Sequence, residues 1–234
     1  MGQEGESDNI SEILYDKKYT CPVCQKKFTS KKPRHSKLRL KEEHGDFFKE
    51  YEQLNPSYYM VNVCYHCGYA YTDQFSSPKP AQIKEIKEQV SENWVPRDYG
   101  SIRDFQMAVE SLKLGILCGQ LKGEKYNILA TLLLHTAWIH REAQDYNNEK
   151  RFLNLAREYF LKVYQEDTSG QVDLPKLLFL LGELSRRLDK RDEALSWFSK
   201  LVSDKGIKDE KMINRAREQW MLIKKEKERQ SGEG

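Results

Sequence analysis

From Phe105 onward, apolar residues recur three and four positions apart. Phe105, Ala108, Val109, Leu112 and Ile116 fall on one helical face, the stripe that a turn of about 3.6 residues buries. Ser101-Ile102-Arg103-Asp104 precedes them like a capping box with Asp in place of Glu, which predicts a helix over about 101–119. Ile128 to Arg141 reads as a second helix. Phe152, Ala156, Tyr159, Phe160 and Val163 mark a third, after the polar break Asp145 to Asn148. Leu174, Leu177, Leu178, Leu181 and Leu188 mark a fourth, with Pro175 in its first turn. Ala194, Trp197, Phe198, Leu201 and Val202 give a fifth. Met212, Ala216, Trp220 and Ile223 give a sixth, which trails into the charged run Lys224 to Arg229. Short polar connections between such segments imply antiparallel helical hairpins.

Before residue 77 the grammar changes. Lys18-Tyr19-Thr20 leads into Cys21 and Lys27-Phe28-Thr29 leads away from Cys24. Tyr58 to Val63 leads into Cys64, and Tyr69-Ala70-Tyr71-Thr72 follows Cys67. Each Cys-x-x-Cys therefore sits between short β-prone stretches, as at the tip of a hairpin. Gly45 to Leu54 reads as a short helix, and Asn55-Pro56 as a turn. Ser76-Ser77-Pro78-Lys79-Pro80 stops both helix and central strand, so a boundary is placed there.

The helical pairs carry a repeat signal. Leu181-Gly182, Ala194 twelve residues after the glycine and Phe198 four later match the L-G and A-x-x-x-F core of a tetratricopeptide unit. Small residues there let two helices approach while the aromatic fills their crossing. Ala156 and Phe160 repeat the second element 38 residues earlier, with Leu134 and Trp138 on the preceding helix. An ordinary bundle using Ala and Phe in its core is the plainer alternative.

Composition narrows the class. The 234 residues suffice for a real hydrophobic core. A net charge of +3 excludes a globally basic nucleic-acid coat. The longest strictly apolar run, Leu177 to Leu181, is far short of the roughly 20 residues a membrane span needs. With no basic-then-apolar leader at Met1 to Glu6, the expectation is a soluble cytoplasmic protein.

Cys21-Pro22-Val23-Cys24 and Cys64-Tyr65-His66-Cys67 form C-x2-C-x39-C-x2-C. Two residues between thiolates let both sulfurs of a turn face one ion, and two such turns complete a tetrahedron. Gly68 supplies positive φ after the second pair, while Gln25 stands at the equivalent place in the first. Four protein ligands leave no position for water or substrate, which points to a structural Zn2+; tetrahedral sulfur also suits iron. Disulfides are rare in the cytosol, and a thioredoxin-like redox motif lacks its βαβ setting around Cys21. His66 lies between ligands with its side chain expected to point away, and Cys118 reads as a small buried hydrophobe.

From Lys17 to Lys41 there are ten Lys or Arg and no acid. Lys26, Lys27, Lys31, Lys32, Arg34, Lys37 and Arg39 could contact phosphates, with Tyr51, Tyr58, Tyr59, Tyr65, Tyr69 and Tyr71 stacking on bases. Equally, the cations could be a solvated loop around an anionic zinc–thiolate cluster, and the tyrosines the core of the ribbon. No phosphate loop, dinucleotide fingerprint, nucleophile elbow or H-E-x-x-H is present. His135 and His140 are five apart and share no face, so no catalytic residue is assigned.

Cys21-Pro22-Val23-Cys24, Ser36-Lys37-Leu38-Arg39, Asn55-Pro56-Ser57-Tyr58-Tyr59, Val63-Cys64, Cys67-Gly68-Tyr69-Ala70, Ala137-Trp138 and Leu181-Gly182 together resemble the bacterial family named domain of unknown function 2225. The likeness runs from about Tyr19 to Trp220. It implies a zinc-ribbon-like N-terminal part, a tetratricopeptide-like C-terminal part, no assigned activity, and Cys21, Cys24, Cys64 and Cys67 as metal ligands. Tyr65 stands where such knuckles commonly have Pro.

The fold expected is thus α+β: a small β-rich ribbon followed by an all-α helical-hairpin domain. Its divisions are a flexible tail over 1–16, the ribbon over 17–77, a linker with a short helix over 78–100, the helical domain over 101–229 and a tail over 230–234. The expected function is a non-enzymatic, metal-stabilised adaptor that binds a protein or peptide on a helical groove through Lys176, Phe179, Glu183 and Arg186. Nucleic-acid binding through the basic segment is the alternative, and a thiol-redox or zinc-dependent enzyme a third.

Overall fold

The computed structural model describes residues 10, 12–166 and 172–232, with side chains as far as Lys225. It is α+β, with small antiparallel strand pairs followed by helices. The strands are β1 (Leu14–Thr20), β2 (Lys27–Pro33), β3 (Leu40–Glu43), β4 (Lys49–Tyr51), β5 (Asn62–Val63) and β6 (Ala70–Tyr71). The helices are α1 (Pro80–Ile86), α2 (Phe105–Lys122), α3 (Tyr126–Glu142), α4 (Tyr146–Glu166), α5 (Leu174–Arg187), α6 (Arg191–Ser203) and α7 (Glu210–Gly232). Each strand pairs only with its hairpin partner: β1 with β2, β3 with β4, β5 with β6.

Two compact units divide the chain inside α4, one ending at Phe152 and the other beginning at Leu153. The proline-marked passage at Ser76 to Pro80 lies inside the first unit, where strands give way to helices. Residues 1–9 and 11 of the tail expected over 1–16, and 233–234 of that over 230–234, lie outside the described residues. The end of the first tail is strand: Ile13 and Leu14 are 2% and 4% exposed, and the Ile13 carbonyl accepts from Arg34 N–H at 2.7 Å.

In the first unit α2 presents small residues to the strands. A Cβ on Gly115 would come within 2.9 Å of the buried Val61 side chain, so glycine there sets the closeness of helix and ribbon. The helix begins at Phe105, four residues later than the sequence predicts. Asp104, not Ser101, is the cap, accepting from Met107 N–H at 2.8 Å. Arg103 is drawn inward instead: its guanidinium donates to the carbonyls of Tyr99 and Tyr58, both at 2.8 Å, and to the hydroxyls of Ser111 and Ser30. Burial among these neutral acceptors pulls its pKa down to about 10.

The helix expected over 45–54 is the β3–β4 hairpin. Phe47 turns the chain at φ 66°, which a helix cannot accommodate. Asp46, fully buried at the turn, accepts from Arg141 Nη2 at 2.7 Å and Trp138 Nε1 at 2.9 Å. Phe48 then packs on the Trp138 ring at 5.6 Å. Trp138, noted in the sequence only as lying on the helix before Ala156 and Phe160, is committed to this hairpin. The Asn55 turn is as the sequence predicts: its Oδ1 accepts from Ser57 N–H at 2.9 Å and starts a 3-10 turn.

In the second unit α5 and α6 form a hairpin that α7 covers. Asp173 caps α5, and Pro175 occupies its first turn. A Cβ on Gly182 would lie 2.5 Å from Phe198 Cε1, so the glycine admits the ring at the crossing, with Ala194 and Phe198 fully buried. The groove set needs correction here. Phe179 is 1% exposed, tilted against Phe198 at 5.6 Å and covered by the Arg215 guanidinium of α7 at 5.0 Å. Glu183 is fully buried, bridged to Arg186 at 2.7 Å and Arg187 at 3.0 Å. Phe179 thus belongs to the packing among α5, α6 and α7, Glu183 to ion pairs within α5, and only Lys176 of the four is exposed.

Candidate metal centre

The two Cys-x-x-Cys turns sit at the tips of the β1–β2 and β5–β6 hairpins and are built alike. Cys21 N–H donates to Lys26 O at 3.0 Å and Gln25 N–H to Cys21 O at 2.9 Å. The matching bonds, Cys64 N–H to Tyr69 O and Gly68 N–H to Cys64 O, are both 2.9 Å. Each turn closes on a left-handed residue, Gly68 at φ 72° and Gln25 at φ 61°. Glutamine pays the strain that glycine avoids and recovers a bond from its Nε2 to Pro22 O at 3.1 Å.

This geometry brings the four sulfurs together. Cys21 Sγ lies 3.6 Å from Cys67 Sγ and Cys24 Sγ 3.6 Å from Cys64 Sγ, with all four within 4.8 Å of one another. A tetrahedral zinc–thiolate site with Zn–S of about 2.3 Å places its sulfurs about 3.8 Å apart. The cysteines are free of disulfides, and Cys21, Cys64 and Cys67 are buried. The four side chains can therefore hold one metal ion.

The electrostatics agree. Backbone N–H groups of Val23 and Cys24 favour a thiolate on Cys21, those of His66 and Cys67 one on Cys64, and that of Tyr69 one on Cys67. Hydrogen bonding from Cys21 and Cys67 draws the Cys64 thiol downward. In return, the bond to Cys64 pushes Cys21 upward, and the bond to Cys21 pushes Cys67 upward. Sulfurs this close all carry charge only when a cation joins them.

Neighbouring groups are structural. His66 turns away from the sulfurs, its Nε2 3.1 Å from Lys27 O, so it ties one turn to the strand leaving the other. Cys118 is buried on α2 and accepts from Ala70 N–H at 3.4 Å; burial pushes its thiol up to about 11. His135 Nδ1 lies 2.8 Å from Ser57 Oγ, and His140 Nδ1 3.1 Å from Asp145 Oδ2. A second group, Glu42, His44 and Glu50 on the β3–β4 hairpin, also lies within 4.8 Å. Glu50 there is engaged by Lys41 at 2.5 Å, which holds its carboxyl below the usual range.

The basic run is dispersed. Lys31 pairs with Asp16 at 3.0 Å and Lys37 with Glu12 at 3.2 Å. Lys32 turns inward to Tyr59 O at 2.8 Å, and burial lowers its pKa to about 8. Arg34 lies over the Tyr15 ring at 4.8 Å, while Lys26, Lys27 and Arg39 are exposed. Of the tyrosines, Tyr59 and Tyr69 are buried core, Tyr69 stacked on Tyr71 at 5.2 Å. Tyr65, at 48% exposure, is open to solvent.

Trp94 escaped the sequence reading. Its Nε1–H donates to Tyr65 O at 2.8 Å, and its ring lies so close over Gly68 that a Cβ there would be 2.4 Å from Cε3. A tryptophan in a Pro- and Gly-bearing connection was the available signal.

No curated protein and no solved structure shows a match to this chain. A family model described as an uncharacterised protein conserved in bacteria, DUF2225, matches residues 14–223. That span takes in both hairpin tips, the Asn55 to Tyr59 turn and the Gly182–Phe198 crossing, and the chain belongs to this bacterial family.

Proposed function

We propose that the chain is a non-enzymatic binding protein whose ribbon is held in shape by one structural zinc ion and whose C-terminal helices receive a protein or peptide partner. The closed set of four sulfurs carries this reading. Four cysteine ligands fill a tetrahedron, leaving no open position from which zinc could activate water or polarise a substrate. When bound, the ion supplies folding free energy by joining two Cys-x-x-Cys turns that are separated by 39 residues of sequence. On the helical side, support comes from α7, whose Met221 and Leu222 are each 52% exposed. The internal pairing of Lys31, Lys32 and Lys37 weakens the phosphate-binding alternative.

The test is metal analysis of the purified protein with thiol alkylation before and after chelation. One zinc per chain, with Cys21, Cys24, Cys64 and Cys67 alkylated only after chelation, is expected. Iron, or alkylation of all four without chelation, would remove the reading. Capture from nuclease-treated lysate then separates the partner classes: proteins retained after digestion support the helical surface, and partners lost with nucleic acid support the basic segment.

A further inference from the structure

The connection between α1 and α2 contains no regular structure from Asn93 to Asp104, yet it is pinned to the ribbon along its length. Trp94 docks on the second Cys-x-x-Cys turn, donating to a carbonyl inside it and covering Gly68 with its ring face. Six residues on, Gly100 O accepts from Lys31 N–H of β2 at 2.9 Å, and a Cβ at Gly100 would lie 2.4 Å from Thr29 O. Tyr99, 4% exposed, stands beside the Trp94 ring at 6.2 Å and donates to Glu110 of α2 at 2.8 Å. Arg103 closes the series with its bonds to Tyr58 O and Ser30 Oγ. This segment is a strap laid across both hairpins.

Trp94 needs a particular shape beneath it. Tyr65 O faces the indole N–H only while the turn is folded, and the ring seats only over a residue without a Cβ in the left-handed conformation. That shape is also the one that aims Cys64 and Cys67 at the other two sulfurs. Two events that require one conformation are thermodynamically coupled, and the coupling is reciprocal. We propose that Trp94 is a positioning residue of the metal centre: the strap it carries latches the Cys64–Cys67 turn in its ligating shape, so that strap docking and metal retention reinforce each other. The inference rests on the zinc reading above and extends it from the four ligands to the residue that holds two of them in place. Partners outside the ligand shell of metal sites typically change affinity about 10–100-fold when removed.

The experiment measures zinc release from the full-length, zinc-loaded protein into excess chromogenic chelator. Trp94→Ala is expected to release zinc at least about tenfold faster than the parent. Trp94→Phe, which keeps a ring over Gly68 but lacks the N–H donor, is expected between them. Gly115→Ala serves as the control for general destabilisation, since it strains the α2–Val61 contact without touching either turn; its release rate is expected to stay near the parent's. Release from Trp94→Ala at the parent rate would overturn the latch, as would equal acceleration by Gly115→Ala. Should Trp94→Ala fail to fold, hydrogen exchange of the unaltered protein decides. Protection over 92–104 must fall together with that over 64–70 on chelation, and a strap that stays protected overturns the proposal. A parent chain that takes up no zinc defeats the zinc reading and the latch together, whereas a zinc-loaded Trp94→Ala that releases normally defeats the latch alone.

Discussion

His135 shows how one half-buried side chain ties stability to pH. Its Nδ1 meets Ser57 Oγ at 2.8 Å, its ring stands against Trp138 at 4.5 Å, and burial lowers its pKa from the ordinary 6.5 to about 4. Between those values the unfolded chain binds the proton that the folded chain refuses. The stabilisation is therefore complete above 6.5 and lost as pH falls towards 4. His140, also lowered mainly by burial, works in the same direction. His135→Gln keeps an acceptor for Ser57 and removes the titration. Urea unfolding at neutral pH and near pH 4.5 is expected to show a smaller acid loss in the variant, the difference being at most about 3 kcal/mol. Any metal held by the four thiolates is lost alike from both chains in acid, so the difference isolates the histidine. An identical acid loss in the two proteins would refute the assignment.

Among elements, the α5–α6 crossing is the tightest contact for which the sequence supplied both partners. Gly182→Ala would drive a methyl into the Phe198 ring, whose nearest atom is 2.5 Å from the Cβ position. Overpacking of this kind costs about 1–3 kcal/mol. Phe198→Leu in the same chain should recover part of that loss, because the shorter side chain vacates the space. Thermal melts of the single and double variants check this, and additive losses would mean the two side chains do not meet. The crossing was legible because Gly182, Ala194 and Phe198 lie within one hairpin at fixed helical offsets. The Cys-x-x-Cys turns were legible for the same reason: their spacing is their geometry. Contacts decided by distant residues were not. The stretch 45–54 offers helix-compatible residues, and what makes it a hairpin is Asp46 meeting Arg141, 95 positions away. The start of α2 slipped because Arg103, read only as part of the capping box, is instead the guanidinium that bonds to the Asn55 to Tyr59 turn. Phe179 and Glu183 looked like groove residues, but Phe179 packs on Phe198 under Arg215 of α7 and Glu183 is buried in ion pairs with Arg186 and Arg187 of its own helix.

At the scale of the whole molecule, the two units draw on different sources of stability. Among the described residues, the unit ending at Phe152 contains three separate two-stranded hairpins, and such hairpins are marginal on their own. They depend on α2, on the buried Arg103 and Asp46 bonds, and on whatever joins the two Cys-x-x-Cys tips across 39 residues. The unit from Leu153 has an apolar core of its own, with Leu178, Leu181, Leu184, Phe198, Leu201 and Ala216 fully buried. Chelation should therefore act unequally. If the four cysteines hold a metal as proposed, calorimetry of the chelator-treated protein is expected to show one transition displaced downward by well over 10 °C, or absent, and a second near its original temperature. Each kcal/mol lost shifts the melting of a domain this size by roughly 4 °C, and structural zinc contributes several kcal/mol. Limited proteolysis assigns the transitions: cuts after chelation should fall between residues 14 and 104 and spare α5 to α7. Uniform loss of both transitions would mean that the metal supports the helices as well. No shift at all would mean that the hairpins hold without it, leaving the four cysteines with no structural role.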